Sequence, residues 1–189
     1  MPAIHVCSLA RLASVVEETD ASHLVTLITE GTEVVRPPAI LPERHLFLAM
    51  HDIVEPQDGM MPPNETHVAN YLDFIERWDR NQPMVVHCFA GISRSTAAAF
   101  IGACALNPRL DEAEIAAEIR ASSPTATPNA RLVAIADRLL GRGGRMNAAV
   151  AAIGRGAFAY EGVPFALHIG PRETAAAAPF APRQLPGSA

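Results

Sequence analysis

Met84-Val85-Val86-His87-Cys88-Phe89-Ala90-Gly91-Ile92-Ser93-Arg94-Ser95-Thr96 is the stretch on which the fold turns. Met84 to His87 has the composition of a buried strand, and Ser95 to Leu106 is an Ala-rich helix that stops at Asn107-Pro108. Between them lies a short loop holding a cysteine, five residues and an arginine. A loop that joins a strand end to a helix N-terminus aims several backbone N–H groups at one point, and the helix end adds positive partial charge there. The result is an anion site suited to phosphate, lined by Phe89, Ala90, Gly91, Ile92, Ser93 and Arg94. Gly91 lets the loop turn through positive φ. Arg94 can fork onto two phosphate oxygens, which a lysine could not do. The same amides and guanidinium favour the thiolate of Cys88, the form that attacks phosphorus. His87 is expected to order the loop through a hydrogen bond. Ser95 is placed to donate to the sulfur when it leaves.

Elements on the N-terminal side alternate. Ile4 to Ser8 reads as a strand, Leu9 to Thr19 as a helix carrying Leu12, Val15 and Val16, and His23 to Thr29 as a strand ending at Glu30-Gly31. Pro37, Pro38 and Pro42 disfavour regular structure in 32–44. His45 to Met50 is a further strand, and 51–64 a loop with Pro56, Gly59, Pro62 and Pro63. Asn64 is the expected N-cap of a helix to about Arg80, with Val68, Tyr71, Leu72 and Ile75 as its apolar face. Trp78, near its end, is placed at the surface.

A leaving oxygen needs a proton, and its donor belongs on another loop at the same end of the sheet. Asp52 directly follows the strand ending at Met50, so it is the candidate general acid. Asp58, on the same loop, is its rival.

C-terminal to the loop, helices dominate. Asp111-x-x-Glu114 forms a capping-box pattern for a helix to about Ser122. Thr127 is read as the cap of a helix with Pro128 at its first position, running to Leu140 before Gly141. Residues 145–153 make one more short helix. The predicted architecture is α/β: a central, mostly parallel sheet of four to five strands flanked by helices, with the phosphate-binding loop between a strand and a helix. Residues 1–155 form the domain. Residues 156–189 form a C-terminal extension, partly a mobile Ala/Pro-rich tail from about Glu173. Its Phe158, Tyr160, Phe165 and Leu167 are free to pack on the domain or to bind a partner.

Bulk properties narrow the classes. The chain has 189 residues, 49% hydrophobic and 19% charged, which is globular composition. The net charge of −5 and the lack of a Lys/Arg run argue against nucleic acid as partner. Neither a signal peptide nor a membrane span is expected. Cys7, Cys88 and Cys104 are an odd, sparse set, so free thiols in a reducing, cytoplasmic setting are expected. Cys7 and Cys104 read as core residues. The histidines lack metal-ligand spacing, so no metal or other cofactor is expected.

HCFAGISRS resembles the Cys-x5-Arg-Ser/Thr signature of the protein tyrosine phosphatases. The short first strand, the compact length and the Asp-bearing loop before the cysteine resemble the dual-specificity branch. SPTATPNARL is similar to the helical segment that follows the signature in small phosphatases. The resemblance covers roughly residues 4–141. It implies the phosphatase fold, a phosphocysteine intermediate, the roles of Cys88, Arg94 and Ser95, and no metal. The implied substrate is a phosphorylated protein or small phosphate monoester, most of all phosphotyrosine, with or without phosphoserine and phosphothreonine. The sequence departs from the tyrosine-specific branch at its acid loop, where His51-Asp52-Ile53 replaces Trp-Pro-Asp, and it lacks the long phosphotyrosine-recognition loop. Two alternatives stand beside this reading: a phosphoinositide or other non-protein phosphatase, and a catalytically idle phosphate-binding module.

Overall fold

Four strands whose residues are almost all apolar or β-branched line up in parallel, as expected for a sheet covered on both faces. The computed structural model describes residues 2–169. The strands are β1 (Ala3–Ser8), β2 (His23–Ile28), β3 (His45–Ala49) and β4 (Met84–Cys88), with a fifth, β5 (Phe165–His168). Their order is β3-β2-β4-β1-β5, parallel except for β5, which runs antiparallel to β1. The expected fold class is therefore found. Phe165–His168, assigned by sequence to the C-terminal extension, adds a strand to the sheet, with Phe165 and Leu167 in the core. The Ala/Pro-rich tail from Glu173 lies outside the described residues.

The helices are α1 (Leu12–Thr19), α2 (Glu65–Arg77), α3 (Arg94–Leu106), α4 (Glu112–Ser122), α5 (Ala130–Leu139) and α6 (Arg145–Ile153). On one face, α1 packs Leu12, Val15 and Val16 against Cys7, Leu24 and Val85. On the other, α3 is buried from Arg94 to Cys104, against a core that includes Ile4, Val6, Val25, Leu27 and Val86. Its alanines let it lie close to its neighbours: Tyr71 Oη donates to Ala98 O at 2.7 Å, and Gly102 faces that same hydroxyl. Each large side chain buried here contributes about 1.5–3 kcal/mol.

Asn64 caps α2 as expected, accepting from His67 N at 3.0 Å, while His67 Nδ1 accepts from Asn64 N at 3.2 Å. Two local expectations need correction. Trp78 is fully buried rather than at the surface, and its Nε1 donates to Gln82 O at 3.0 Å. The cap of α5 is Asn129, not Thr127: Asn129 Oδ1 accepts from Arg131 N and Leu132 N, both at 3.1 Å. No helix among the described residues is long and apolar enough to cross a membrane.

Candidate active site

Because β1 to β4 are parallel, their carboxyl ends share one edge of the sheet, where α/β folds place their ligands. Ser8, Thr29, Asp52 and Cys88 lie at or just beyond those four ends. Cys88 ends β4 and is 2% exposed. Its Sγ lies 3.3 Å from Gly91 N, a donor, and 3.2 Å from Ser95 Oγ at the start of α3.

Four carbonyls of the loop are tied down. Phe89 O accepts from Leu9 N, Ala90 O from Gly162 N, Ile92 O from Thr127 N, and Ser93 O from Ala97 N and Asn129 N. In a trans peptide the C=O and the following N–H point to opposite sides, so anchoring these oxygens turns the next amides the other way. Gly91 takes φ 73°, and a Cβ on it would lie 2.8 Å from Cys7 C and Ser8 N. Only glycine fits there, for conformation and for space.

Arg94 is 5% exposed. Its Nη1 donates to Met50 O at 2.7 Å and to Thr29 Oγ1 at 3.5 Å. Its Nε is buried, 3.8 Å from Asp52 Oδ2, and makes no hydrogen bond among the described residues. Asp52 Oδ1 accepts from Ser93 Oγ at 2.7 Å and from Asn129 Nδ2 at 2.8 Å. The structure thus joins Asp52 to the loop and its arginine, while Asp58 lies exposed further along the segment. That segment is closed on itself by His51 N to Met61 O and Met61 N to His51 Nδ1. Arg131 grips it at both ends, through Val54 O and Pro63 O.

His87 is fully buried, and its Nε2 lies 2.8 Å from Thr26 Oγ1, which is also 2.8 Å from His45 Nε2. Burial, with smaller contributions from His45 and Arg94, pushes the imidazole of His87 down to about 4, so it is neutral at pH 7. Its hydrogen bond ties β4 to β2 just before the loop, and its Nδ1 is buried without a hydrogen-bond partner among the described residues. Cys7 and Cys104 are buried free thiols, each pushed up to about 12, chiefly by desolvation. The nearby Cys88 adds to the effect at Cys7.

Two features were missed by sequence. Asn129 both caps α5 and holds Asp52; its position in SPTATPNARL, at the head of an apolar helix, was the available signal. The second is the segment of Glu161 and Gly162 against the loop: Ser8 Oγ donates to Glu161 Oε1 at 2.5 Å. No sequence pattern marks it.

The protein-tyrosine phosphatase family model matches residues 42–129, which include HCFAGISRS. Among solved structures, DUSP15 is similar over 81% of this chain and 91% of its own, at 19% identity and a TM-score of 0.59. A human tyrosine phosphatase-like serine/threonine/tyrosine-interacting protein matches over 74% and 91%, at 16% identity and 0.57. Human DUSP28 matches over 74% and 94%, at 17% identity and 0.55. At these identities the likeness shows the fold, and with the family match it supports phosphatase activity. A comparison with curated protein sequences finds no match.

Proposed function

We propose that this protein hydrolyses phosphate monoesters through a phosphocysteine intermediate, with protein phosphotyrosine as the leading substrate and phosphoserine and phosphothreonine as further ones. The observation that carries the reading is Cys88 Sγ held between Gly91 N–H and Ser95 Oγ, in a loop that ends at the buried Arg94.

Loop amides and Arg94 bind the phosphate oxygens and spread the charge of the transferring group. Cys88 Sγ attacks phosphorus; the S–P bond forms as the P–O ester bond breaks. Asp52 gives its proton to the leaving oxygen, so alcohol or phenol departs. Water then attacks the phosphocysteine, Asp52 takes its proton, and the S–P bond breaks to give inorganic phosphate. Ser95 Oγ donates to the departing thiolate. The reading needs no cofactor.

The loop interior, Phe89 to Ser93, holds no basic residue that would grip extra phosphates, which favours a protein substrate over a phosphoinositide. The free thiols fit a cytoplasmic setting, and the acidic net charge fits a partner other than nucleic acid.

The test is hydrolysis of para-nitrophenyl phosphate and a phosphopeptide panel across pH, comparing wild type, Cys88→Ser and Asp52→Ala. The expected result is an inactive Cys88→Ser, and an Asp52→Ala that loses the fall in rate on the high-pH side. Full activity in Cys88→Ser would end the proposal. Tight phosphopeptide binding without turnover would favour the idle binding module, and a strong preference for inositol phosphates the non-protein reading.

A further inference from the structure

After α6 the chain does not leave the domain. Gly156 N donates to Thr127 Oγ1, Ala157 N to Pro124 O, and the chain then crosses the carboxyl edge of the sheet before entering β5. On the way, Gly162 N donates to Ala90 O at 2.8 Å. That carbonyl and the N–H of Gly91 belong to one peptide plane and point to opposite sides. The N–H is the one 3.3 Å from Cys88 Sγ. A single peptide unit therefore links Gly162 to the sulfur, and a hydrogen bond accepted at its carbonyl strengthens the donor at its far end.

Space points the same way. A Cβ on Gly162 would lie 2.7 Å from Gly91 O, 3.2 Å from Gly91 C and 3.3 Å from Ile92 Cγ1. The nearest atoms belong to the loop backbone, so any side chain here must move the loop. Glu161 meanwhile accepts from Ser8, which stands opposite Cys88 in the β1–β4 register. The backbone of Cys7 and Ser8 is the wall on which Gly91 rests. Two segments distant in sequence thus hold the loop from two sides, and Ser8–Glu161 ties them together.

We propose that Glu161 and Gly162 are positioning residues for the phosphate-binding loop, locking the Ala90–Gly91 peptide so that its N–H stays on Cys88 Sγ. This rests on the reading of Cys88 as nucleophile. Without the brace the peptide is free to rotate, and its carbonyl would face the sulfur and the phosphate.

The full chain is tested as Gly162→Ala, Glu161→Ala and Glu161→Gln. Measurements are kcat and KM on para-nitrophenyl phosphate, the pH dependence of Cys88 alkylation by iodoacetamide followed by peptide mass spectrometry, protection of Cys88 by inorganic phosphate, and Tm. For Gly162→Ala we expect kcat/KM to fall roughly 10- to 100-fold, the alkylation profile to move to higher pH, and phosphate protection to weaken. Glu161→Ala should move the same readouts, and Glu161→Gln, which keeps an acceptor for Ser8, should move them less. A merely structural role would lower Tm and leave the alkylation profile in place. A folded Gly162→Ala with wild-type profile, protection and kcat/KM overturns the brace. Should that variant not fold, the Glu161 pair decides: loss in Ala with retention in Gln supports the proposal, and no change in either overturns it. A wild type that neither turns over nor is protected by phosphate overturns the nucleophile reading and the brace together; a protected, active wild type with unperturbed variants overturns the brace alone.

Discussion

Asn129 reaches across 77 residues of sequence to Asp52, its Nδ2 donating to Oδ1 at 2.8 Å while its own Oδ1 caps α5. One amide thus serves a helix end and the acid loop at once. Asn129→Ala should lower stability by about 1 kcal/mol, the usual worth of a cap, and also lower kcat. Asn129→Asp keeps a capping oxygen but sets a second carboxylate beside Asp52. It should hold stability better than Ala and still lose activity. Urea denaturation and para-nitrophenyl phosphate turnover separate the two effects.

Ser95 Oγ is 3.2 Å from Cys88 Sγ, at the buried first turn of α3. If it serves the departing thiolate, Ser95→Ala should slow breakdown of the phosphoenzyme more than its formation. Rapid-quench kinetics with para-nitrophenyl phosphate should then show a burst followed by a slower steady state. Equal slowing of both phases would count against that role.

His87 makes stability depend on pH. Its folded value, about 4, lies below the unfolded value of about 6.5, so the unfolded chain takes up the proton first as pH falls. The stabilisation is present in full above about pH 6.5 and is lost between there and about pH 4, amounting to about 3 kcal/mol. Urea midpoints for wild type should fall across that window. His87→Gln should flatten part of the slope, leaving the share of the other histidines, of which His5, His23, His45 and His67 are shifted in the same direction.

Gly102 lies inside α3, where alanine is ordinarily the better helix former by about 1 kcal/mol. A Cβ there would sit 2.6 Å from Tyr71 Oη and 2.9 Å from Ile4 Cδ1. Gly102→Ala should therefore destabilise, by about 1–3 kcal/mol. Tyr71→Phe removes the nearer atom, so the two changes combined should cost less than the sum of each alone. A double-mutant cycle by thermal unfolding measures this.

The signature loop was legible in sequence because its constraints are local: a strand, an anion-binding turn and a helix start within 13 consecutive residues. Asp52 could be favoured over Asp58 from its place just past β3. What escaped depends on distant partners. Thr127 and Asn129 are both good caps, and Asn129 wins where its amide also meets Asp52. Trp78 continues the stripe of Val68, Tyr71 and Ile75 one step past the helix end, so it is buried by a residue outside the periodic run. Phe74 is buried on that helix too, while Leu72 is only partly so. β5 is four residues long, too short for a pattern, and exists because β1 offers it an edge. In its approach Phe158 and Tyr160 stay exposed, at 81% and 91%, stacked edge to face on each other.

The place of β1 between β4 and β5 has a bearing on how the chain matures. Ile4 pairs with Met84 on one side and with Leu167 on the other, so β1 has no lasting neighbour until much later segments are in place. Such long-range pairings raise contact order and slow folding. The brace of Glu161 and Gly162 emerges just ahead of β5. On the proposed brace, the loop that carries Cys88 and Arg94 is held in full only once β5 has closed on β1.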